Sequence, residues 1–79
     1  MYFVYVLQSL KDNKTYVGYT HDVSQRLYRH NSGQVTATKH RRPLKIIFTE
    51  KFETETEAKK KELWWKSGAG RRRLKDFFK

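Results

Sequence analysis

The distribution of apolar positions along the chain predicts three strands. Residues 2–8, YFVYVLQ, form a nearly continuous run of apolar and β-forming side chains, which is typical of a strand covered on both faces. The turn residues KDNK follow, and Thr15–Thr20, TYVGYT, has the spacing of the second strand of a hairpin. A third stretch, LKIIFTEKF, covers Leu44–Phe52. Together these runs predict a small three-stranded, mostly antiparallel sheet.

The first predicted helix carries polar side chains on the face that should meet the sheet. Asp22 and Gln25 have the spacing of a capping box, and Gly33 follows the expected end of the helix at Asn31. An arginine and a histidine interrupt its apolar stripe, whose members are Val23, Arg26, Leu27 and His30. Because an unpaired buried charge is unfavourable, these polar side chains must either extend to solvent or meet partners across the fold.

A second helix is predicted after the third strand. Thr54 and Glu57 repeat the capping-box spacing, and the helix should continue to about Lys66. Its inward stripe contains one acid between apolar side chains: Ala58, Glu62 and Trp65. Glu62 therefore raises the same question as the arginine and the histidine of the first helix.

The last residues predict a further helical segment. A break is expected at Gly68 or Gly70, after which three apolar side chains should pack inward: Leu74, Phe77 and Phe78. The element order β-β-α-β-α-α predicts an α+β fold with helices flanking the sheet. At 79 residues the chain is expected to form one domain over residues 1–79.

The net charge of the chain narrows the class of binding partner that is expected. Lysine and arginine number 18 against 8 acidic residues, which gives a net charge of +10. The excess lies mainly in residues 39–42, 59–61 and 71–73. Clustered positive charge on a small domain favours a polyanion. Nucleic acid, with DNA preferred, is expected over an anionic membrane, because no long amphipathic apolar face accompanies the charge.

The N-terminus and the cysteine content indicate a cytoplasmic protein. The apolar run from Tyr2 to Leu7 is too short for a membrane span, and it lacks the flanks of a signal peptide. The chain contains no cysteine, so disulfides and thiolate zinc sites are excluded.

Gly18 is unexpected inside a strand. Glycine there often marks a β-bulge, but it also allows another backbone or a phosphate to approach closely. Tyr5 and Tyr16, taken alone, are ordinary half-buried sheet residues. Pairing across the turn would nevertheless bring the two phenols to one region of the sheet, where their hydroxyls need partners.

These residues fall into motifs that resemble the GIY-YIG nuclease domain. The two strand motifs of that family are matched by VYV at Val4–Val6 and YVG at Tyr16–Gly18. The helical motifs follow in the family's order: Arg26 and His30 with Asn31, then Glu57, Ala58 and Glu62 with Lys66. The chain is similar to this domain over essentially its whole length, and most of all to its small single-domain bacterial members. Related domains occur in the incision subunit of bacterial excision repair and in some homing and restriction endonucleases.

The resemblance implies a metal-dependent endonuclease that hydrolyses phosphodiester bonds in DNA, or a structure-selective nuclease, that acts in repair or recombination. It implies a catalytic centre supported by Gly18 and formed by Tyr5, Tyr16, Arg26, His30 and Glu62. Two positions depart from the family pattern. Val4 replaces a glycine, and Tyr19 stands where some relatives place a lysine that could lower a tyrosine pKa. The activation of the general base therefore stays open between His30 and a metal-bound water.

The chemistry of each residue type suggests its role at such a centre. Glu62 is expected to hold a single Mg²⁺ or Mn²⁺ ion together with phosphate oxygens and waters. The planar fork of Arg26 suits the scissile phosphate. Of the two phenols, Tyr16 is the preferred base and Tyr5 an orienting donor, while His30 is either a proton relay or a phosphate contact.

Basic residues outside this centre are expected to bind the nucleic acid backbone. They are Lys39, His40, Arg41, Arg42, Lys66, Arg71 and Arg72. The alternative function is that of a nucleic-acid-binding domain that is non-catalytic or needs a partner to act. A third and remoter function is that of a basic protein-interaction module. An inactive relative would be expected to lack Glu62 or Arg26, and this chain has both.

Overall fold

A three-stranded antiparallel sheet carries helices on both faces in a computed structural model that describes residues 1–77. The strand order is β2-β1-β3, so the first strand is central. The strands are β1 (Tyr2–Ser9), β2 (Thr15–Thr20) and β3 (Leu44–Phe52), and the helices are α1 (Val23–Asn31), α2 (Glu55–Lys66) and α3 (Gly68–Phe77). The predicted α+β class and element order are confirmed. Within residues 1–77, no helix has both the length and the apolar character needed to cross a bilayer.

The central strand β1 divides the core into two clusters. Val4 and Val6 point to one face and pack with the buried apolar residues of α2 and α3. Tyr5 and Leu7 point to the other face, where they pack with Leu44 and with partly buried side chains of β2 and α1. The prediction of a strand covered on both faces is confirmed, and its alternation decides which side chains face α1.

Side-chain caps begin the first two helices, as predicted. The Asp22 carboxylate accepts a hydrogen bond of 3.0 Å from the backbone N–H of Gln25. At α2 the Thr54 hydroxyl accepts from the Glu57 N–H at 3.2 Å and donates to the Glu57 carboxylate at 2.9 Å. These bonds satisfy N–H groups that a helix start leaves without partners.

The C-terminal prediction needs correction. The break between α2 and α3 falls at Ser67, which has an extended backbone, and not at Gly68 or Gly70. Leu74 is buried as predicted, but Phe77 is 56% exposed, although its ring lies 5.6 Å from that of Phe48. Phe78 lies outside the described residues. A serine ends α2 because its N–H and hydroxyl both donate to the Trp64 carbonyl.

The two glycines at the start of α3 provide a matched pair for testing the α2–α3 contact. A Cβ at Gly70 would overlap the backbone of Trp64 and Trp65, whereas at Gly68 it would meet no atom within 4 Å. Gly70→Ala should lower the free energy of unfolding by about 1–3 kcal/mol through overpacking. Gly68→Ala should be neutral or stabilise by up to about 1 kcal/mol. Urea unfolding followed by circular dichroism measures both, and equal effects would contradict this packing.

Candidate active site

Gly18 makes room for the phenol of Tyr5. The two residues are directly paired across β1 and β2. A Cβ on Gly18 would lie 2.6 Å from Cζ of Tyr5 and closer still to its hydroxyl oxygen. The only register shift around β1 lies between Val6 and Leu7, opposite β3. The bulge interpretation of Gly18 is therefore wrong, and the space beside the glycine is occupied by an aromatic side chain.

Three rings meet beside this glycine. The ring centroids of Tyr16 and His30 are 4.8 Å apart, and those of Tyr5 and Tyr16 are 6.4 Å apart. The Tyr5 hydroxyl lies 3.1 Å from Nε2 of His30. His30 itself is fully buried, so the polar position in the stripe of α1 meets a partner and does not extend to solvent.

The second nitrogen of His30 is held by a residue that the sequence did not single out. Nδ1 lies 2.7 Å from the hydroxyl of Thr38, which is fully buried. That hydroxyl also contacts the backbone carbonyl of Val35 at 3.5 Å. Both ring nitrogens of His30 thus have a hydroxyl partner, and the tautomer of the ring sets which member of each pair donates.

Thr38 belongs to a polar loop in which the sequence contains no signal for a structural role. Strand and helix patterns report which face of an element is buried, but a loop has no such period. The Thr38 hydroxyl reaches His30 because the loop of residues 32–43 folds back against α1. Asn31 anchors that return, because its side chain accepts from the Leu44 N–H at 2.8 Å and donates to the Leu44 carbonyl at 3.0 Å.

Burial acts on the Tyr5 phenol together with three other side chains of the site. It raises the pKa of the phenol well above the ordinary tyrosine value, Tyr16 adds to the rise, Arg26 opposes it, and Glu62 adds a further rise. Tyr5 is therefore neutral at neutral pH. Side chains from β2, α1 and α2 thus act electrostatically on one hydroxyl.

His30 is also neutral at neutral pH. Burial lowers its pKa below the ordinary histidine value, and the positive charges of Arg26 and Arg29 lower it further. The buried contact between Tyr5 and His30 consequently joins two uncharged groups. Arg26 and Glu62, the two predicted catalytic residues with charged side chains, are both partly exposed.

Glu62 can contribute one anionic ligand to a metal ion. Its side chain is 15% exposed and pairs with Lys66 one turn later, at 3.6 Å between Oε1 and Nζ. Among the described residues, no group of three or more histidine and acidic side chains is arranged to hold an ion. This donor set fits Mg²⁺, which is commonly held by one or two carboxylates while phosphates and waters complete its shell.

The predicted DNA-binding residues fall on different surfaces. Arg41 pairs with Asp12 at 3.8 Å, and Lys66 and Arg71 line a groove next to Tyr16. Lys39 and His40 are exposed, and Arg42 donates to the Lys39 carbonyl at 2.9 Å. Arg72 lines a separate groove with Trp64 and Lys61. The basic run at residues 71–73 is therefore divided by the turn of α3 and does not form one patch.

Comparison with known proteins finds a matching family and several relatives. A model of the GIY-YIG catalytic domain matches residues 1–75. A UPF0213 protein of Listeria welshimeri is 50% identical over 66 residues, covering 82% of this chain and 72% of the relative. One from Staphylococcus saprophyticus is 36% identical over 75 residues, covering 94% and 90%. The solution NMR structure of a UPF0213 protein from Bacillus halodurans matches with a TM-score of 0.56 and 33% identity, covering 98% of this chain and 85% of that structure.

The neutral state of buried His30 predicts a pH dependence of stability. The unfolded chain takes up a proton on this residue below about pH 6.5, whereas the folded protein resists it, so the free energy of unfolding should fall as the pH decreases. The contribution of one proton is at most about 1.4 kcal/mol per pH unit. Urea unfolding between pH 5.5 and 7.5 should show a smaller slope for His30→Gln than for wild type. His40→Gln, at an exposed position, should retain the wild-type slope, and an unchanged slope in His30→Gln would refute the assignment.

Proposed function

The chain belongs to the GIY-YIG catalytic domain family, and from that premise we propose that it is a metal-dependent endonuclease that hydrolyses phosphodiester bonds in DNA. Membership implies a nuclease-type activity. The observation that carries the finer proposal is the convergence of two phenols, a neutral imidazole, one arginine and one carboxylate around the Tyr5 hydroxyl. The net charge of +10 supports a polyanionic substrate.

Phosphodiester hydrolysis requires an activated water, compensation for the negative charge of the transition state, and help for the leaving alkoxide. Tyr5 is a poor general base, because burial holds it protonated and its hydroxyl is directed to His30. Tyr16 is the other phenol of the cluster and is partly exposed, so it can contact a water. We therefore assign Tyr16 as the base and Tyr5 as the group that orients the imidazole.

His30 is better suited to proton transfer than to holding a phosphate. It is neutral and buried, and both of its nitrogens have partners within the protein. Its ring lies edge-on to Tyr16, which places it beside the phenol that would take up a proton. Of the two roles that the sequence left open for His30, the buried geometry supports the relay.

Arg26 and Glu62 supply the charges of the site. The guanidinium of Arg26 can make two parallel hydrogen bonds to phosphate oxygens, which stabilises charge that develops in the transition state. The carboxylate of Glu62 would hold a magnesium or manganese ion, which supplies Lewis-acid chemistry when bound. Lys66 pairs with this carboxylate from one turn later on α2.

The assignment of the base is tested by removing one hydroxyl at a time. Tyr16→Phe should lower the single-turnover rate of DNA cleavage by about 10²–10⁴-fold, the usual contribution of a general base. Tyr5→Phe should lower it by roughly 10-fold, because it removes one neutral hydrogen bond. Tyr28→Phe, at a side chain that is 68% exposed, is the matched control. A larger loss in Tyr5→Phe than in Tyr16→Phe would reverse the two roles.

Metal dependence is tested at Glu62. Wild type should cleave duplex, nicked or branched DNA in the presence of Mg²⁺ or Mn²⁺ and not in chelator. Glu62→Gln should cleave at least about 10²-fold more slowly, as expected for loss of an electrostatic contribution of a few kcal/mol. It should still bind DNA in chelator, since it removes a negative charge. Glu55→Gln on the exposed start of α2 is the control, and wild-type cleavage by Glu62→Gln would eliminate this carboxylate as a ligand.

A further inference from the structure

A second basic surface lies outside the catalytic centre. It is a cleft of about 430 Å³ lined by four cationic side chains from three separate segments of the chain. We call it the flanking cleft; its cations are Lys14 from the β1–β2 turn, Arg41 from the loop before β3, and Arg71 and Lys75 from α3. Asn13, Thr15 and Leu74 complete the lining, so none of the described residues that line it is acidic.

One wall of the flanking cleft is held in place by a buried serine. The Ser9 hydroxyl donates to the Arg41 carbonyl at 2.7 Å and accepts from the N–H groups of Lys11 and Asp12 at 3.0 and 3.2 Å. The Asp12 carboxylate also pairs with the Arg41 guanidinium at 3.8 Å. These contacts join the β1–β2 turn to the loop before β3, and Lys14 and Arg41 therefore occupy one preorganised wall.

The opposite wall is a single face of α3. Arg71 and Lys75 are one turn apart, so they project from the same side of the helix. The buried side chain of Leu74 and the close contact of Gly70 with α2 fix the rotation of that helix. Arg72 and Arg73 face a different groove. Of the basic run at residues 71–73, helix geometry thus places Arg71 in the flanking cleft.

The flanking cleft adjoins a groove that reaches Tyr16 of the proposed catalytic centre. A neighbouring groove, lined by Tyr16 and Lys66, shares Thr15, Arg71 and Leu74 with the cleft. A polyanion could therefore follow one cationic path from Tyr16, past Arg71, to Lys14 and Lys75. Among residues 1–77, no aromatic side chain lines the cleft, which suits backbone phosphates and not base recognition.

We propose that the flanking cleft binds backbone phosphates of the DNA on one side of the scissile bond. This inference rests on the proposed function for the identity of the polyanion, but it concerns binding and not the chemical step. The cleft would fix the direction in which the strand leaves Tyr16, and it would do so without reading sequence. Contacts of this kind position a substrate and make its affinity depend on salt.

The test compares two double variants that remove the same charge. The first variant, Lys14→Gln with Lys75→Gln, removes one positive charge from each wall of the cleft and leaves Arg71 in place. Lys59→Gln with Lys60→Gln removes two exposed lysines of α2 that do not line the cleft. Dissociation constants for a 20-base-pair duplex are measured in chelator by fluorescence anisotropy from 50 to 300 mM salt, so cleavage does not contribute. Circular dichroism checks that both variants fold.

The cleft variant should bind at least about 10-fold more weakly at 100 mM salt, and its log–log salt slope should be smaller in magnitude by about two, as expected for two lost phosphate contacts. The α2 variant should change both quantities much less. Equal effects of the two variants on salt-dependent binding would overturn the flanking cleft and leave the nuclease proposal intact. If wild type bound DNA with no dependence on salt, both proposals would be overturned.

Discussion

The burial of the Tyr5 phenol between a glycine and a histidine is the constraint on which the rest of the site depends. A hydroxyl in the interior needs a hydrogen-bond partner, since leaving it without one costs about 1–3 kcal/mol. Gly18 gives it space across the sheet, and His30 gives it a partner from the helix above. The imidazole then needs its own partner, and Thr38 provides it. The strand register, the rotation of α1 and the path of the following loop are coupled through this chain of contacts.

The same chain of contacts separates neutral from charged groups in the site. Burial disfavours the ionised forms of both Tyr5 and His30, because it raises the pKa of the phenol and lowers the pKa of the imidazole. Arg26 and Glu62 retain some contact with solvent and stand on different helices. The centre can therefore combine neutral, hydrogen-bonded groups in its interior with charged side chains that contact the substrate at its edge. A buried arrangement of all these charges would require much stronger mutual pairing to offset desolvation.

Those parts of the structure that follow from local rules were predictable from the sequence. All three strands and the caps at Asp22 and Thr54 were predicted correctly because alternation and capping act over a few residues. The convergence around Tyr5 was expected from family motifs, whose order along the chain carries information on long-range contacts. Thr38 could not be found, because its role depends on where an irregular loop returns. The break at Ser67 was missed for a related reason: a serine can end a helix through its own hydroxyl as effectively as a glycine ends it through backbone freedom.

The positions of the basic residues indicate how a small domain can bind a polyanion with residues other than those of its catalytic centre. The catalytic groups come from the central and edge strands and from the inward stripes of α1 and α2. The cations of the flanking cleft come from a tight turn, a loop and the outer face of α3. The loop is the one that also carries Thr38, the partner of His30. Arg71 lies where the two surfaces meet, since it lines both grooves. Because the two sets share so few residues, substitutions that alter how the chain holds a polyanion can leave the hydrogen-bonded interior of the site undisturbed.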